Sequence, residues 1–448
     1  MPKKPRSKPQ RSWLRRLLRL TVWALILFVV AALFWLRDAL YHRFVGFPRE
    51  AAAWQAIRVQ RQPVTDNAGW SEYRGILHNH SHFSHDSDVP FEEILRALNT
   101  AKLDFICLSD HCVEGRADFD IQWRGLHDGK LFIPGFEMRE GMMPFGVASG
   151  VVLSNRTDPA ILAQQIVTNG GVLFYAHPEE PREWNRPELT GMEIYNLHVD
   201  FKRLPGGMSR LLPEALVNLR AYPEQFYNLA FKRPTEFLQS WDNLNQTRHL
   251  TGIAANDCHQ NVGFRGIYTA ADTIRVEDTS PKTLKEFKLN WFTRPIAKFC
   301  FGPLEPDRKL FGVQLDPYER SARFVNTHVL ARELTEPAIL DSLRAGRVFI
   351  GFDMIADSSS FQWFASDKSA AAAVMGEALP FANGIRLHAR SPLPCRFTIV
   401  KDGGVVYQWE ARAIEWVPSR SGKYRVEAEL KVGDDWVPWV YTNPIHLQ

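Results

Sequence analysis

Residues 74–86 read RGILHNHSHFSHD: a short apolar stretch that runs into a cluster of histidines closed by an aspartate. The same punctuation recurs down the chain. DFICLS (104–109) leads into Asp110 and His111, LFIPGF (131–136) into Glu137, VLFYA (172–176) into His177, and GIAAN (252–256) into Asp257, Cys258 and His259. Continuous apolar runs of this length have the texture of strands buried on both faces. Between them lie helical segments. FEEILRALNTAK (91–102) follows Asp88 and Pro90, and AILAQQIVTN (160–169) is opened by Asp158-Pro159 and closed by Gly170-Gly171. Gly191 to Asn196 and Thr251 to Ala255 read as further strands. Strands and helices that alternate in this way predict an α/β barrel. The carboxyl ends of parallel barrel strands converge on one face, so these scattered residues are expected to share one pocket.

The residue types suit a transition-metal site. Imidazole and carboxylate bind Zn²⁺, Mn²⁺ and Fe²⁺ well. On extended backbone, His78 and His80 point to the same side, and Asp257 with His259 repeats that spacing. Bringing so many histidines and acids together without an ion would be costly to desolvate. Cys112 and Cys258, beside the candidate ligands, read as small fillers. His82 and His85 either touch substrate, supply a replacement ligand, or are loop histidines without a role. Glu193 reads either as an acid supporting the ligands or as a structural one, and Ser84 as a local hydrogen-bonding group.

Outside this region the chain changes character. Its apolar share of 45% and charged share of 23% are those of a globular protein with an ample core. The net charge of +4 hides an uneven distribution. Lys3, Lys4, Arg6, Lys8, Arg11, Arg15, Arg16 and Arg19 precede any acid, and without them the chain is mildly acidic, which argues against long nucleic acid as a partner. Thr21 to Leu36, TVWALILFVVAALFWL, carries no charge and is flanked by Trp23 and Trp35. It predicts an uncleaved membrane span, with the basic tail cytoplasmic and the remainder extracytoplasmic, in a periplasm. A cleaved signal peptide is the alternative, but no small-x-small site follows the apolar run. The five cysteines show no regular spacing and predict no disulfide framework. The segment from His198 to Gln246 is expected to be a helical insertion. A helix-rich stretch is expected from about Pro281 to Phe301, and Ala370 to Ala373 reads as a linker. From about Met375 short alternating segments predict an antiparallel β-sandwich.

Taken in order, HNHSHFSHD, LSDH, GFE, AHP and NDCH resemble the motifs of the polymerase and histidinol phosphatase (PHP) superfamily. VNTHVLARELTEPAILDSLRAGRVFIG (325–351) and the terminal WVPWVYTNPIHLQ resemble its carbaryl-hydrolase-like branch. The resemblance implies a distorted (β/α)7 barrel holding two or three divalent metal ions (Zn, Mn or Fe). Matched by motif, His78, His80 and Asp257 would hold one ion, Glu137 would bridge, and His177 would hold a second. Asp86, His111 and His259 would surround a third. His198 stands where the family places a further ligand, shortly after the strand holding Glu193. Asp110 would act by orienting its neighbours. Arg139 and Arg265, close after metal motifs, are candidates for binding substrate phosphate, with solvated surface arginines as the alternative.

The implied organisation is a basic cytoplasmic tail (1–19), a transmembrane anchor (20–37), a juxtamembrane stalk (38–69), a PHP-like barrel (70–356, insertion about 198–246) and a β-sandwich (375–448). The implied activity is hydrolysis of phosphate esters of small molecules or nucleotides, with a metal-activated water as nucleophile. A 5′-3′ exonuclease or nucleotide phosphatase, a carbamate or carboxylic ester hydrolase, and a membrane-tethered binding module stay open as alternatives. The sequence carries no signal of oligomeric state.

Overall fold

A computed structural model of the chain describes residues 10–65, 69–278, 283–367 and 370–448. The chain divides into two units, one formed by residues up to 52 with 205–226, the other by 53–204 with 227–448.

In the first unit, α1 (Gln10–Tyr41) is one helix of 32 residues, about 48 Å long at 1.5 Å per residue. It is long and apolar enough to cross a membrane, a description that a signal sequence also meets. The expected tail is helical from Gln10 onward, and Met1 to Pro9 lie outside the described residues. The expected stalk is also mostly helical. A π-helical turn, His42–Gly46, leads into a helix at Phe47–Arg58; residues 66–68 lie outside the description. The helix Gly207–Asn218 is fastened to the end of α1 by buried polar groups. Glu214 lies 2.6 Å from His42 Nδ1, and Asn218 Nδ2 donates to the Ala39 carbonyl at 2.9 Å. Part of the predicted insertion thus belongs with the N-terminal helix, and it is helical as expected.

The second unit is mixed α/β. Its centre is β1 (Ser71–Asn79), parallel to β2 (Phe105–Cys107) on one side and to β7 (Thr251–Cys258) on the other. Parallel pairing continues from β2 to β3 (Lys130–Ile133), from β7 to β6 (Leu189–Asn196) and from β6 to β5 (Val172–Tyr175). β4 (Met142–Phe145) runs antiparallel beside β5. Among the described residues no ladder joins β3 to β4; a single bridge, Gly135 to Phe145, lies between them.

Successive residues of these strands enter two separate cores, as the period of two requires. Leu77, Phe105, Cys107, Leu131 and Ile133 join one cluster. Ile76, Ile106 and Phe132 join the other, against α2 (Phe91–Ala101). The cores hold the strands in register, and with them the residues at their carboxyl ends. Each fully buried Leu, Ile or Phe contributes roughly 1.5–3 kcal/mol.

Two departures from expectation follow. Thr283–Lys288 is a strand, not part of a helix. With β8 (Gly263–Thr269), β9 (Thr273–Asp278) and β11 (Lys309–Gln314), this strand, β10, forms a four-stranded antiparallel sheet in the order β10-β9-β8-β11. Among the described residues of that stretch only α4 (Thr293–Phe301) is helical, numbering α3 as Leu197–Lys202. The second departure is at the C-terminus. Antiparallel strands begin at Gln362–Asp367, ahead of 375, and the presumed linker is itself a strand, Ala370–Val374. Arg425, on the strand Gly422–Val432, grips Asp242 of the helix Thr235–Thr247 through two hydrogen bonds of 2.7 Å.

Candidate metal centre

Histidines and acids converge where β1, β2, β5, β6 and β7 end. His78 is the penultimate residue of β1 and His80 follows the strand; His111 comes shortly after β2 and His177 shortly after β5. Asp257 is the penultimate residue of β7, with His259 just beyond the strand. Glu137 arrives through a two-residue parallel pairing in which His111 faces it. His198 lies in the first turn of α3, whose start is capped by Asn196: its side chain accepts from Val199 N at 3.2 Å.

The local backbone differs from the expected extended run. His78, His177 and Asp257 have φ values of 62°, 51° and 52°. Non-glycine residues seldom occupy this left-handed region, and such strain clusters at functional sites. The ladder between β1 and β7 also shifts register between Leu77 and Asn79. His78 and His80 therefore face one pocket through a turned backbone, not through simple alternation.

In His78, His80 and His177 the two nitrogens divide by role, whereas His259 Nδ1 also lies 3.2 Å from Asp257 Oδ1 and His111 Nδ1 lies 3.7 Å from Glu137. The Nδ1 atoms meet supporting groups: His78 with Glu193 at 2.5 Å, His80 with Ser84 Oγ at 2.9 Å, His177 with Glu179 at 3.2 Å, and His259 with the Asp257 carbonyl at 2.9 Å. The Nε2 atoms face carboxylates. His78 Nε2 is 3.2 Å from Glu137 and 3.4 Å from Asp257, and His80 Nε2 is 3.4 Å from Asp257. His177 Nε2 is 3.4 Å from Glu137, while Asp86 Oδ2 lies 3.4 Å from His111 Nε2 and 3.2 Å from His259 Nε2. Metal-binding histidines show this division, one nitrogen on the ion and the other held by an acceptor behind it.

The donor set fits a divalent metal. Donor atoms of His80, Asp86, His111 and His259 lie within 4.8 Å of one another. The same holds for His78, His177 and Asp257, for His78, His80 and Glu137, and for His198, Asp257 and His259. Ligands about 2.1 Å from a shared tetrahedral ion stand roughly 3.4 Å apart, so the observed separations are those of ligand edges. Three of these donors, His80 Nε2, Asp86 Oδ1 and Asp257 Oδ1, are buried with no hydrogen-bond partner. Buried polar atoms are normally satisfied, and a cation would satisfy these.

The electrostatics point the same way. Burial opposes ionisation of Glu137 and Asp257, yet the surrounding histidines, His78 foremost, hold both carboxylates below the usual range. Burial likewise opposes a charged His78, but Asp257, Glu193 and Glu137 together raise it well above its ordinary value. Burial and the ring of His259 push His80 down to about 3. His259 is pulled up to about 9, because Asp257 and Asp86 outweigh its burial. Carboxylates and charged imidazoles thus support one another in the cluster, and a bound metal would take the place of protons on the histidines.

The supporting groups include Asp110. Its fully buried carboxylate accepts from Ser81 N at 2.5 Å, Ser81 Oγ at 2.8 Å and Gln122 Nε2 at 2.7 Å. Burial raises its pKa against those bonds. It anchors the loop carrying His80 and does not line the pocket. Ser84 links two candidate ligands, because its Oγ also accepts from His111 N at 2.9 Å.

A cavity of about 360 Å³ opens over the cluster, lined by Asp86, Glu137, His177 and His198 among others. Arg139 and Arg265 are not part of its lining. Arg139 donates to the Thr157 carbonyl at 3.2 Å, and Arg265 is engaged by Glu277 at 3.1 Å. The cations that do line it are Arg182 and Lys202, neither of which stands in a motif. Arg182 is held by the Ala176 carbonyl and Glu180, whereas Lys202 makes no hydrogen bond or ion pair among the described residues. Lys202 is four residues after His198, hence on the same face of α3. That spacing was the one signal in the sequence that could have found it.

No family model matches the chain, and no curated protein matches it. Among solved structures, the chain is similar to a two-domain protein of Bacteroides vulgatus ATCC 8482 containing a predicted PHP-like metal-dependent phosphoesterase. The alignment covers 86% of this chain and 98% of that one, at 14% identity and a TM-score of 0.35.

His198 reaches the pocket of His177 and Glu137, its ring centroid 5.6 Å from that of His259. Burial, against the pull of Asp257, lowers its pKa to about 4 and favours the neutral imidazole. His82 and His85 belong to none of the donor groups.

Proposed function

We propose that this chain is a metal-dependent hydrolase of phosphate esters, of the PHP type. The observation that carries the reading is the division of the histidine nitrogens. Nδ1 of His78, His80 and His177 is held from behind, and their Nε2 atoms, with His111 and His259, surround Asp86, Glu137 and Asp257.

Two or three divalent ions (Zn, Mn or Fe) are assigned to His78, His80, Asp86, His111, Glu137, His177, Asp257 and His259, with His198 as a further ligand. Such ions supply a Lewis acid and a water of lowered pKa when bound. The chain's own groups do the rest. Glu193 and Glu179 fix the orientation of His78 and His177, and Asp110 secures the loop of His80. Lys202, which has no partner among the described residues, receives the anionic part of the substrate, with Arg182 held beside the site by the Ala176 carbonyl.

In this reading residues 70–356 form the hydrolase barrel and 375–448 a β-sandwich. Residues 20–37 anchor the chain in the membrane. The basic residues ahead of the span keep the N-terminus cytoplasmic and place the hydrolase outside.

The test is a substrate panel on the full chain in detergent, loaded in turn with Mn²⁺, Zn²⁺ or Fe²⁺. Phosphate monoesters, diesters and nucleotides are compared with carboxylic esters and carbamates. Phosphate ester hydrolysis that disappears in Asp257→Asn is expected. Turnover of carboxylic esters or carbamates alone would overturn the substrate class, and no turnover with no metal uptake would overturn the enzyme.

A further inference from the structure

The four-stranded sheet β8–β11 and α4 share a small core made by Tyr268, Ile274 and Ala297, with Leu289 and Phe301 packed against it. Ala297 and Phe301 stand four apart, so one face of α4 is accounted for. A second apolar face is not. Phe292, Ile296 and Phe299 follow at i, i+4 and i+7 and are exposed to solvent, Phe299 at 91%. Trp291 beside them is 88% exposed, and Leu284 and Phe287 on β10 are exposed as well. Six large apolar side chains are thus displayed between residues 284 and 299. Single exposed apolar residues are ordinary, but a group of this size marks an interaction site.

The intervening residues say what kind of surface it meets. Lys285, Lys288, Arg294 and Lys298 are exposed among these side chains, with Glu286 the one acid from Thr283 to Phe301. Lys285 lies over the ring of Phe287, 5.1 Å from its centroid. Tryptophan and phenylalanine interleaved with lysine and arginine is the composition of a helix that lies in the headgroup region of a bilayer. The lysines complement anionic lipid, while Arg294 is engaged by Asp272 at 3.2 Å. The chain also carries α1, which would hold this surface near a bilayer continuously, so even a weak contact would be populated.

We infer that α4 and β10 form a second, peripheral membrane contact, inserting Trp291, Phe292, Ile296 and Phe299 at an anionic lipid surface. The inference rests on reading α1 as a membrane span. Such a contact would fix the orientation of the second unit relative to the bilayer.

The test uses the full chain in vesicles of phosphatidylcholine with or without phosphatidylglycerol. A nitroxide is placed at Phe299→Cys, with Cys112→Ser and Cys300→Ser removing the accessible native thiols. A second sample carries it at Leu126→Cys, another exposed apolar position. Collisions with oxygen and with a water-soluble nickel chelate report depth, and alkaline extraction reports α1 independently. The Phe299→Cys label is expected to favour oxygen over nickel in phosphatidylglycerol vesicles, while the Leu126→Cys label stays aqueous. The preference should shrink when Lys285, Lys288 and Lys298 are changed to Glu. Identical aqueous readings at both positions in extraction-resistant protein would overturn the contact and leave α1 standing. Spin–spin broadening that grows with protein density would assign the surface to a second copy and also overturn it. Release on extraction with a lipid-facing Phe299→Cys label would reject α1 as a span and keep the contact. Failure to associate with vesicles would overturn both.

Discussion

Glu193 Oε1 lies 2.5 Å from Nδ1 of His78, both side chains fully buried, while the other Glu193 oxygen accepts from the backbone of His177 at 3.0 Å. One carboxylate on β6 thus positions two candidate ligands, one on β1 and one just after β5. Glu193→Gln is expected to lower metal affinity by roughly 10–100-fold, as loss of such supporting groups does elsewhere. Metal titration beside circular dichroism checks this. Unchanged affinity with an intact fold would make Glu193 merely structural.

Among the described residues, Lys202 is the cation at the cavity without a competing partner. Lys202→Met is expected to raise KM for a phosphate ester by roughly tenfold, the scale of one charge-assisted hydrogen bond, with metal content unchanged. Arg265→Met should leave KM alone, since Arg265 already serves Glu277. Steady-state kinetics on both variants decides.

Much of the site is legible in the sequence because buried parallel strands appear as unbroken apolar runs, and the next polar residues must then lie at strand ends. The left-handed turns at His78, His177 and Asp257 are not legible, because they depend on how β1, β5 and β7 meet their neighbours. Lys202 is hidden for a related reason: only the path of α3 places it at the cavity. In β10, Leu284 and Phe287 stand three apart and mimic helical spacing, while pairing with β9 makes the segment a strand. The attachment of Gly207–Asn218 to α1 rests on contacts between residues some 170 positions apart, such as His42 with Glu214.

Away from the site, His328 is clasped between Glu72 at 2.7 Å and Asp353 at 2.9 Å. Burial opposes its charge, but Asp353 and Glu72 prevail and raise its pKa to about 9. A raised histidine stabilises the fold fully below its unfolded pKa of about 6.5, and that stability is lost as pH climbs through the folded value. Wild-type protein should lose on the order of 3 kcal/mol between about pH 6.5 and 9 through this group. His328→Gln should be less stable throughout and lack that slope. Denaturant titrations across the range test it; an equal slope in the variant would refute the assignment.

Arg425 is buried and fully engaged by Asp242 and Glu427. Removing Asp242 takes two of these three hydrogen bonds and leaves the buried guanidinium with Glu427 alone, so the cost is below the about 3–5 kcal/mol of a fully broken buried pair. Asp242→Ala is expected to lower the thermal midpoint accordingly. A midpoint within experimental error of wild type would show that the C-terminal strands do not depend on this link.

The central claim is that the histidines and acids at the strand ends hold divalent metal. Elemental analysis of the full chain, purified without chelators and then equilibrated with Mn²⁺, Zn²⁺ or Fe²⁺, tests it directly beside Asp257→Ala and His80→Ala. More than one equivalent of tightly held metal in the wild type, with a clear loss in both variants, is the predicted result. Wild-type protein that holds no more metal than its variants would contradict it.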